Sequence, residues 1–277
     1  MMRYLNVKMP AFAIFLAMWC HPLFAGEMII LQSTTSTHNS GLYEDILPKY
    51  TAVSGDRVRV VSVGTGQAIK NAMNCDGDVL LVHSKAAEED FVALGYGTAR
   101  YDLMFNDFVI IGPQHDPAGL HKVDDIIKAF IKLQQGLGDL TARFISRGDD
   151  SGTHKAELRL WAAADIDVTA LPITSYQEVG NGMGATINIA VETKAYTLTD
   201  RSTWTAYNNK RDSVIVFEGD TRLHNQYGII PVSKDHCPYV NAAAAARFVD
   251  WMLSDQGQLA IANFKPGGTQ LFFPNAQ

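Results

Sequence analysis

No stretch beyond the first 25 residues stays apolar for the roughly 20 consecutive positions a membrane helix needs. Nothing in the chain repeats, turns low-complexity or forms a Pro-rich linker. A helical membrane span and a repeat array are both excluded. Positive charge is scarce: 23 Lys and Arg stand against 29 Asp and Glu, a formal net charge of −6. Such a surface repels nucleic acid and anionic lipid, so no nucleic-acid partner is expected. It also repels a small anion at long range. Any anion site must therefore be built locally from N–H groups, hydroxyls and one or two cations. The cysteines are Cys20, Cys75 and Cys237, and their spacing matches no zinc motif. Neither a cofactor nor a bound metal cation is expected.

The chain begins with Arg3 and Lys8, runs through apolar residues 9–20 and reaches small Ala25 ahead of Gly26. That is the layout of a secretory signal peptide over residues 1–25, and it predicts an extracytoplasmic or periplasmic protein. Its removal takes away two cations and no acid, deepening the net charge from −6 to −8. Cys20 raises a lipid anchor as an alternative, but bulky Trp19 sits where a lipoprotein signal wants a small residue. An oxidising compartment allows Cys75 and Cys237 to pair, with two buried free thiols as the other reading.

From residue 27 onward short apolar strands alternate with helical spacing. Strands are expected at 28–32, 58–63 and 78–83, with helices at 41–54, 67–74 and 86–95. This alternation predicts an α/β protein with doubly wound, parallel sheets. A middle segment carries its own strands at 108–111, 144–146, 195–199 and 214–217, and helices at 123–135, 154–164 and 184–193. A strand at 227–232 and an amphipathic helix at 240–254 then return to the first sheet. The expected division is lobe 1 from 26–106 plus 228–277 and lobe 2 from 107–227, hinged near 105–113 and 226–232.

Ligands of open α/β sheets bind beyond the carboxyl ends of strands. The first strand is followed by Ser33, Thr34, Thr35, Ser36 and Thr37, ahead of a helix. One or two of these suit N-caps, whereas five in a row suit a nest of donors for an anion. Gly64, Thr65 and Gly66 follow the second strand, and His83 and Ser84 the third. In the middle segment Arg147, Gly148, Asp149, Asp150, Ser151, Gly152 and Thr153 lead straight into a helix. Arginine offers a fixed fork of donors, and Ser151 to Thr153 place hydroxyl and N–H groups at a positive helix end. Asp149 or Asp150 would orient the guanidinium. The Gly180 to Gly184 turn misses the dinucleotide-binding spacing and reads as close packing, with Thr186 a further contact.

At these residues the sequence resembles the tungstate-binding proteins of ABC importers, a branch of the type II periplasmic binding proteins. The matching stretches are 33–41, 64–68, 96–113, 146–153, 182–190, 195–201 and 271–276. The resemblance implies a monomeric receptor that binds tungstate, or the related molybdate, and passes it to a membrane permease without catalysis. It carries ligand contact onto Thr34, Thr35, Ser36, Thr65, Arg147, Ser151, Gly152 and Thr153. Phosphate receptors share the pattern of residues 147–153, so that motif points to a tetrahedral anion more than to tungsten. Phosphate carries a proton and gains from a carboxylate acceptor. The first-lobe loops 33–39 and 64–67 hold no acid, which favours tungstate.

Two other classes fit less well. A serine hydrolase built on Ser151 with His154 or His83 would need glycines two places either side of the serine, where Asp149 and Thr153 stand. An adhesion module would rest on Arg147, Gly148 and Asp149, whose acid is better explained as the arginine's partner.

Overall fold

The computed structural model describes residues 26–277; the expected leader and Cys20 lie outside them. The chain opens with β1 (Met28–Thr34), α1 (Thr35–Asn39), α2 (Leu42–Ser54), β2 (Arg57–Val63), α3 (Thr65–Met73), β3 (Val79–Val82) and α4 (Lys85–Ala93). A long strand, β4 (Tyr101–Pro113), leads to α5 (Ile126–Gly138), β5 (Phe144–Ser146), α6 (Gly152–Ala163), β6 (Tyr176–Glu178) and α7 (Met183–Glu192). The remaining elements are β7 (Thr197–Asp200), α8 (Arg201–Ala206), β8 (Ser213–Phe217), β9 (His224–Pro231), α9 (Ala242–Leu253), α10 (Asp255–Asn263) and β10 (Phe273–Pro274).

β1 pairs in parallel with β2 and β3, as crossovers through helices allow. β9 pairs antiparallel with both β3 and β4, and β10 closes the edge against β4. The sheet is therefore mixed rather than wholly parallel. The reason is topological: β4 carries the chain out of the first lobe and β9 brings it back, so adjacent crossings run in opposite senses.

β4 is 13 residues long where the apolar pattern predicted only 108–111. Residues 101–107 pair with β9, and residues 108–113 pair with β7 and β8. Asp102, Asn106 and Asp107 interrupt the apolar pattern, yet the β9 ladder holds their backbone extended. β5 and β6 form a separate parallel pair, tied to the chain ahead of β7 by a bridge from Phe144 to Tyr196.

Two large hydrophobic clusters lie on either side of these crossings. Ile29, Leu31, Ile46, Tyr227, Phe248 and Met252 belong to one. Phe108, Phe130, Phe144, Trp161, Tyr196 and Leu223 belong to the other. Within it Trp161 is fully buried, edge-on to Phe130 at 4.5 Å and to Phe144 at 5.6 Å between ring centroids. Burying such a ring stabilises by roughly 1.5–3 kcal/mol beyond leaving it exposed. In α9, Ala244, Ala245, Phe248 and Met252 lie on the face that covers the first sheet.

Cys75 and Cys237 form a disulfide that joins the end of α3 to the loop after β9. Cys75 is exposed, so the reading of two buried free thiols fails. His236 brings a ring nitrogen within 4.8 Å of both sulfurs, but those sulfurs are already committed to each other.

Candidate functional site

The five-hydroxyl run is divided by strand alternation. Ser33 and Thr34 are the last residues of β1 and face opposite sides. Ser33 Oγ bonds Tyr43 Oη at 2.5 Å and donates to Leu81 O at 2.8 Å, so its hydroxyl is spent inside the first lobe. Thr34 caps α1, accepting the Thr37 N–H at 3.4 Å, and lies 2.8 Å from Thr37 Oγ1 and 3.1 Å from Ser36 Oγ. Thr35 opens the helix and is half-buried. The run is thus a strand end and a helical turn rather than an open loop. It still presents Thr34, Thr35 and Ser36 together.

α3 begins at Thr65, which is fully buried. Its Oγ1 accepts the Gly152 N–H at 3.0 Å, and the Gly66 N–H donates to Asp150 O at 2.8 Å. These bonds join the N-terminus of α3 to the segment that follows β5. Glycine is required on both sides of the contact. A Cβ at Gly66 would collide with the Asp150 carboxylate, and one at Gly152 would lie 2.7 Å from the His83 ring.

Arg147 leaves β5 buried, its side chain 3% exposed. Its Nη2 donates to Asp149 Oδ2 at 2.5 Å, while Asp149 Oδ1 accepts the Ser151 N–H at 3.2 Å. Asp149, rather than Asp150, is therefore the orienting acid, and each of its oxygens accepts from a protein donor. Asp150 turns instead to Lys155 and Lys70. Gly148, with φ of +59°, makes a bend after Arg147 that L side chains rarely adopt, and a Cβ there would lie 2.5 Å from Glu178 Cβ. Ser151 caps α6 by accepting the His154 N–H at 3.1 Å, which leaves its own hydroxyl hydrogen free. Arg147 Nε and Thr153 Oγ1 are both buried with no hydrogen-bond partner in the protein.

The third helix end is that of α7, capped by Gly182. A Cβ on Gly182 would stand 3.9 Å from Thr35 Oγ1, so this N-terminus faces the first-lobe hydroxyls. Thr186 is buried, and its hydroxyl donates to Gly182 O at 3.1 Å within its own helix. α3 and α6 thus meet at their N-terminal, partially positive ends, and α7 directs its own toward the Thr35 hydroxyl. Arg147 Nε and Thr153 Oγ1 add unpaired donors there, which suits a small anion.

His83 belongs to this place as well, although its sequence signal was merely a histidine after a strand. It is buried, with Nε2 3.2 Å from Ser36 Oγ and Nδ1 3.1 Å from Asn225 Oδ1. Burial, reinforced by Arg147 and opposed by Asp200, lowers its pKa to about 4, so the ring is neutral at physiological pH. The hydrolase geometry is absent: the His154 ring bonds Ser146 Oγ at 3.1 Å, not Ser151.

Residues 25–256 match the PBP superfamily domain. The chain is 44% identical over 252 residues to the tungstate-binding protein TupA of Peptoclostridium acidaminophilum, covering 90% of this chain and 86% of that one. It is similar to the solved tungstate-binding protein TupA of Desulfovibrio alaskensis, with 44% identity, a TM-score of 0.77, and 91% of this chain and all of that one covered. A solved structure described as the tungstate ABC transporter from Geobacter sulfurreducens gives 42% identity and a TM-score of 0.77, over 86% of this chain and 99% of that one. These relatives are binders of solutes rather than enzymes. The chain belongs to the PBP superfamily and, within it, to the family of tungstate-binding proteins.

Proposed function

We propose that this protein is the extracytoplasmic receptor of an ABC importer, closing two lobes around tungstate and delivering it to a membrane permease. The observation that carries the reading is the pair of buried donors without protein partners, Arg147 Nε and Thr153 Oγ1, set where helix N-termini of both lobes converge. The ligand contacts are Thr34, Thr35, Ser36, Thr65, Arg147, Ser151 and Thr153, while Gly152, expected among them, has its N–H engaged by Thr65 Oγ1 and joins the two helix ends instead. Ser36 contributes its backbone N–H, since its hydroxyl is engaged by His83. Hydroxyls that already accept a capping N–H, as Ser151 does, still have a hydrogen to give.

Molybdate, a tetrahedral dianion of closely similar size, fits the same donors. Phosphate fits less well because its proton needs an acceptor, and the first-lobe loops 33–39 and 64–67 carry no acid. We place the lobes at 26–106 plus 228–277 and at 107–227. The switch of β4 pairing after Asp107 and the separation of the two hydrophobic clusters support that division. The protein acts as a monomer, exported on a leader over residues 1–25, and does not bind nucleic acid. Native mass spectrometry of protein purified without added anion tests the ligand. A retained mass of tungstate or molybdate supports the assignment, and a retained phosphate overturns it.

A further inference from the structure

A single hydrogen-bond chain runs from the second lobe to the first through both crossing strands, and its direction follows from its buried end. Asp200 is fully buried at the start of α8. Its Oδ1 accepts the Thr203 N–H at 2.9 Å and its Oδ2 accepts the Thr203 hydroxyl at 2.6 Å. A carboxylate so engaged offers only lone pairs, so Ser202 Oγ, bonded to the same Oδ1, is a donor there. Ser202 Oγ then receives Asn106 Nδ2 at 3.4 Å. That directs Asn106 Oδ1 to Asn225 Nδ2 at 2.7 Å, and leaves Asn225 Oδ1 facing His83 Nδ1 at 3.1 Å. An amide oxygen has no hydrogen to give, so the ring proton sits on Nδ1. The neutral ring's Nε2 is a bare acceptor, and the Ser36 hydroxyl 3.2 Å away donates to it.

We propose that His83 is a positioning residue of the anion site: Asp200, acting through Ser202, Asn106 and Asn225, sets its tautomer, and His83 thereby draws the Ser36 hydroxyl hydrogen away from the cleft. This rests on the oxyanion reading of the site. The burial that holds the His83 pKa near 4 keeps the ring neutral, as the chain requires. With its hydrogen committed, Ser36 offers Thr34 Oγ1, 3.1 Å away, only a lone pair, so His83 sets how the hydroxyl hydrogens of Thr34 and Thr37, 2.8 Å apart, are ordered beside the cleft. Asn106 and Asn225 are directly paired across β4 and β9, so the relay passes through the crossing itself. The donor pattern of one lobe is in this way fixed by a carboxylate in the other.

The test is side-chain nitrogen NMR of the His83 ring in the full-length protein without tungstate, beside calorimetry with tungstate. In the native protein Nδ1 carries the proton and Nε2 has the shift of an unprotonated ring nitrogen. Asn225→Ala removes the acceptor, so the proton moves toward Nε2, the Ser36 hydroxyl hydrogen is released, and tungstate affinity shifts about tenfold, the worth of one net hydrogen bond. Asp200→Asn is a second variant that still caps α8, since Asn is as good an N-cap. It removes the fixed direction of the chain and gives a mixture of tautomers. A proton on Nε2 in the native protein overturns the proposal, as does an unchanged ring in both variants. A changed ring with unchanged affinity also overturns it, making His83 a core residue only. The ring measurement needs no ligand, so failure of the tungstate assignment shows separately, as absence of tungstate binding by the native protein.

Discussion

The Gly152 N–H donates to Thr65 Oγ1 at 3.0 Å, so the start of α6 in one lobe is closed directly onto the start of α3 in the other. Thr65 is buried, and its hydroxyl hydrogen remains available to a ligand while its lone pair holds Gly152. Thr65→Val keeps the shape but leaves the Gly152 N–H unpaired, at a cost of about 1–3 kcal/mol. Tungstate affinity measured by calorimetry is expected to fall at least tenfold, whereas Thr65→Ser retains most of it. Equal affinity of the Val and Ser variants would place Thr65 outside the site.

Arg147 presents a fork of donors, one arm fixed by Asp149 at 2.5 Å and Nε without a protein partner. Arg147→Ala removes a charge and at least two charge-assisted bonds, each worth about 1.5–3 kcal/mol, so affinity drops by two orders of magnitude or more. Arg147→Lys keeps the charge and loses the parallel geometry, and it binds between the two. Calorimetry on the three proteins checks the order.

Among tetrahedral anions, tungstate and molybdate are expected to bind while sulfate and phosphate compete weakly even in large excess. Sulfate has the same charge and no proton, so size alone separates it. Donors set to the larger radius leave sulfate short of two or three bonds, each costing about 1.5–3 kcal/mol, which amounts to several orders of magnitude. Phosphate adds a proton that meets donors. A thermal-shift series at matched ionic strength and pH reads the order directly, and phosphate raising the melting temperature more than tungstate would contradict it.

The Cys75–Cys237 disulfide spans 162 positions of sequence and lies on the first lobe, away from the anion site. Replacing both cysteines by serine is expected to lower stability by about 2–5 kcal/mol in denaturant titration. Tungstate affinity at 25 °C should stay within twofold, because no ligand contact is disturbed. A large affinity loss in the folded double variant would mean the bridge shapes the site.

Glu157 is buried in the second lobe and receives hydrogen bonds from Tyr176, Trp161 and Ser146. Burial raises its pKa to about 7 despite those donors. Between its ordinary value of 4.5 and about 7, the folded protein holds a proton that the unfolded chain has released, so stability falls as pH rises through that window. Glu157→Gln carries no charge and should lose this slope, becoming more stable than the native protein by a few kcal/mol above pH 7. Parallel melting curves at pH 5 and pH 8 decide it, and an unaltered pH slope in the variant would show that the carboxyl does not titrate there.

Much of the proposed site rests on residue types that are unusual for their places. Arg147 through Thr153 announces a donor-rich helix start whatever the surroundings, and Asp149 as the arginine's partner follows from reach alone. The hydroxyl run was legible as a group but not residue by residue. Strand alternation sends Ser33 to Tyr43 and Thr34 to the cleft, and the strand's true end is set by its ladder with β2. His83, Asn106, Asn225 and Asp200 carried no local signal. They are up to 142 positions apart along the chain and become one network only through the crossing strands.

The order of strands and helices, the two-lobed α/β class and the kinds of donor follow from local pattern, since periodicity and N-cap chemistry act over a few residues. Pairing across the sheet was left open, because a strand's apolar pattern does not state its neighbour or its sense. Only the folded chain made β4 one strand shared by two hydrophobic clusters, and only it chose Asp149 over Asp150. The protonation sense of His83 likewise depends on a carboxylate in the other lobe, because hydrogen-bond direction propagates through contacts in space and not along the chain.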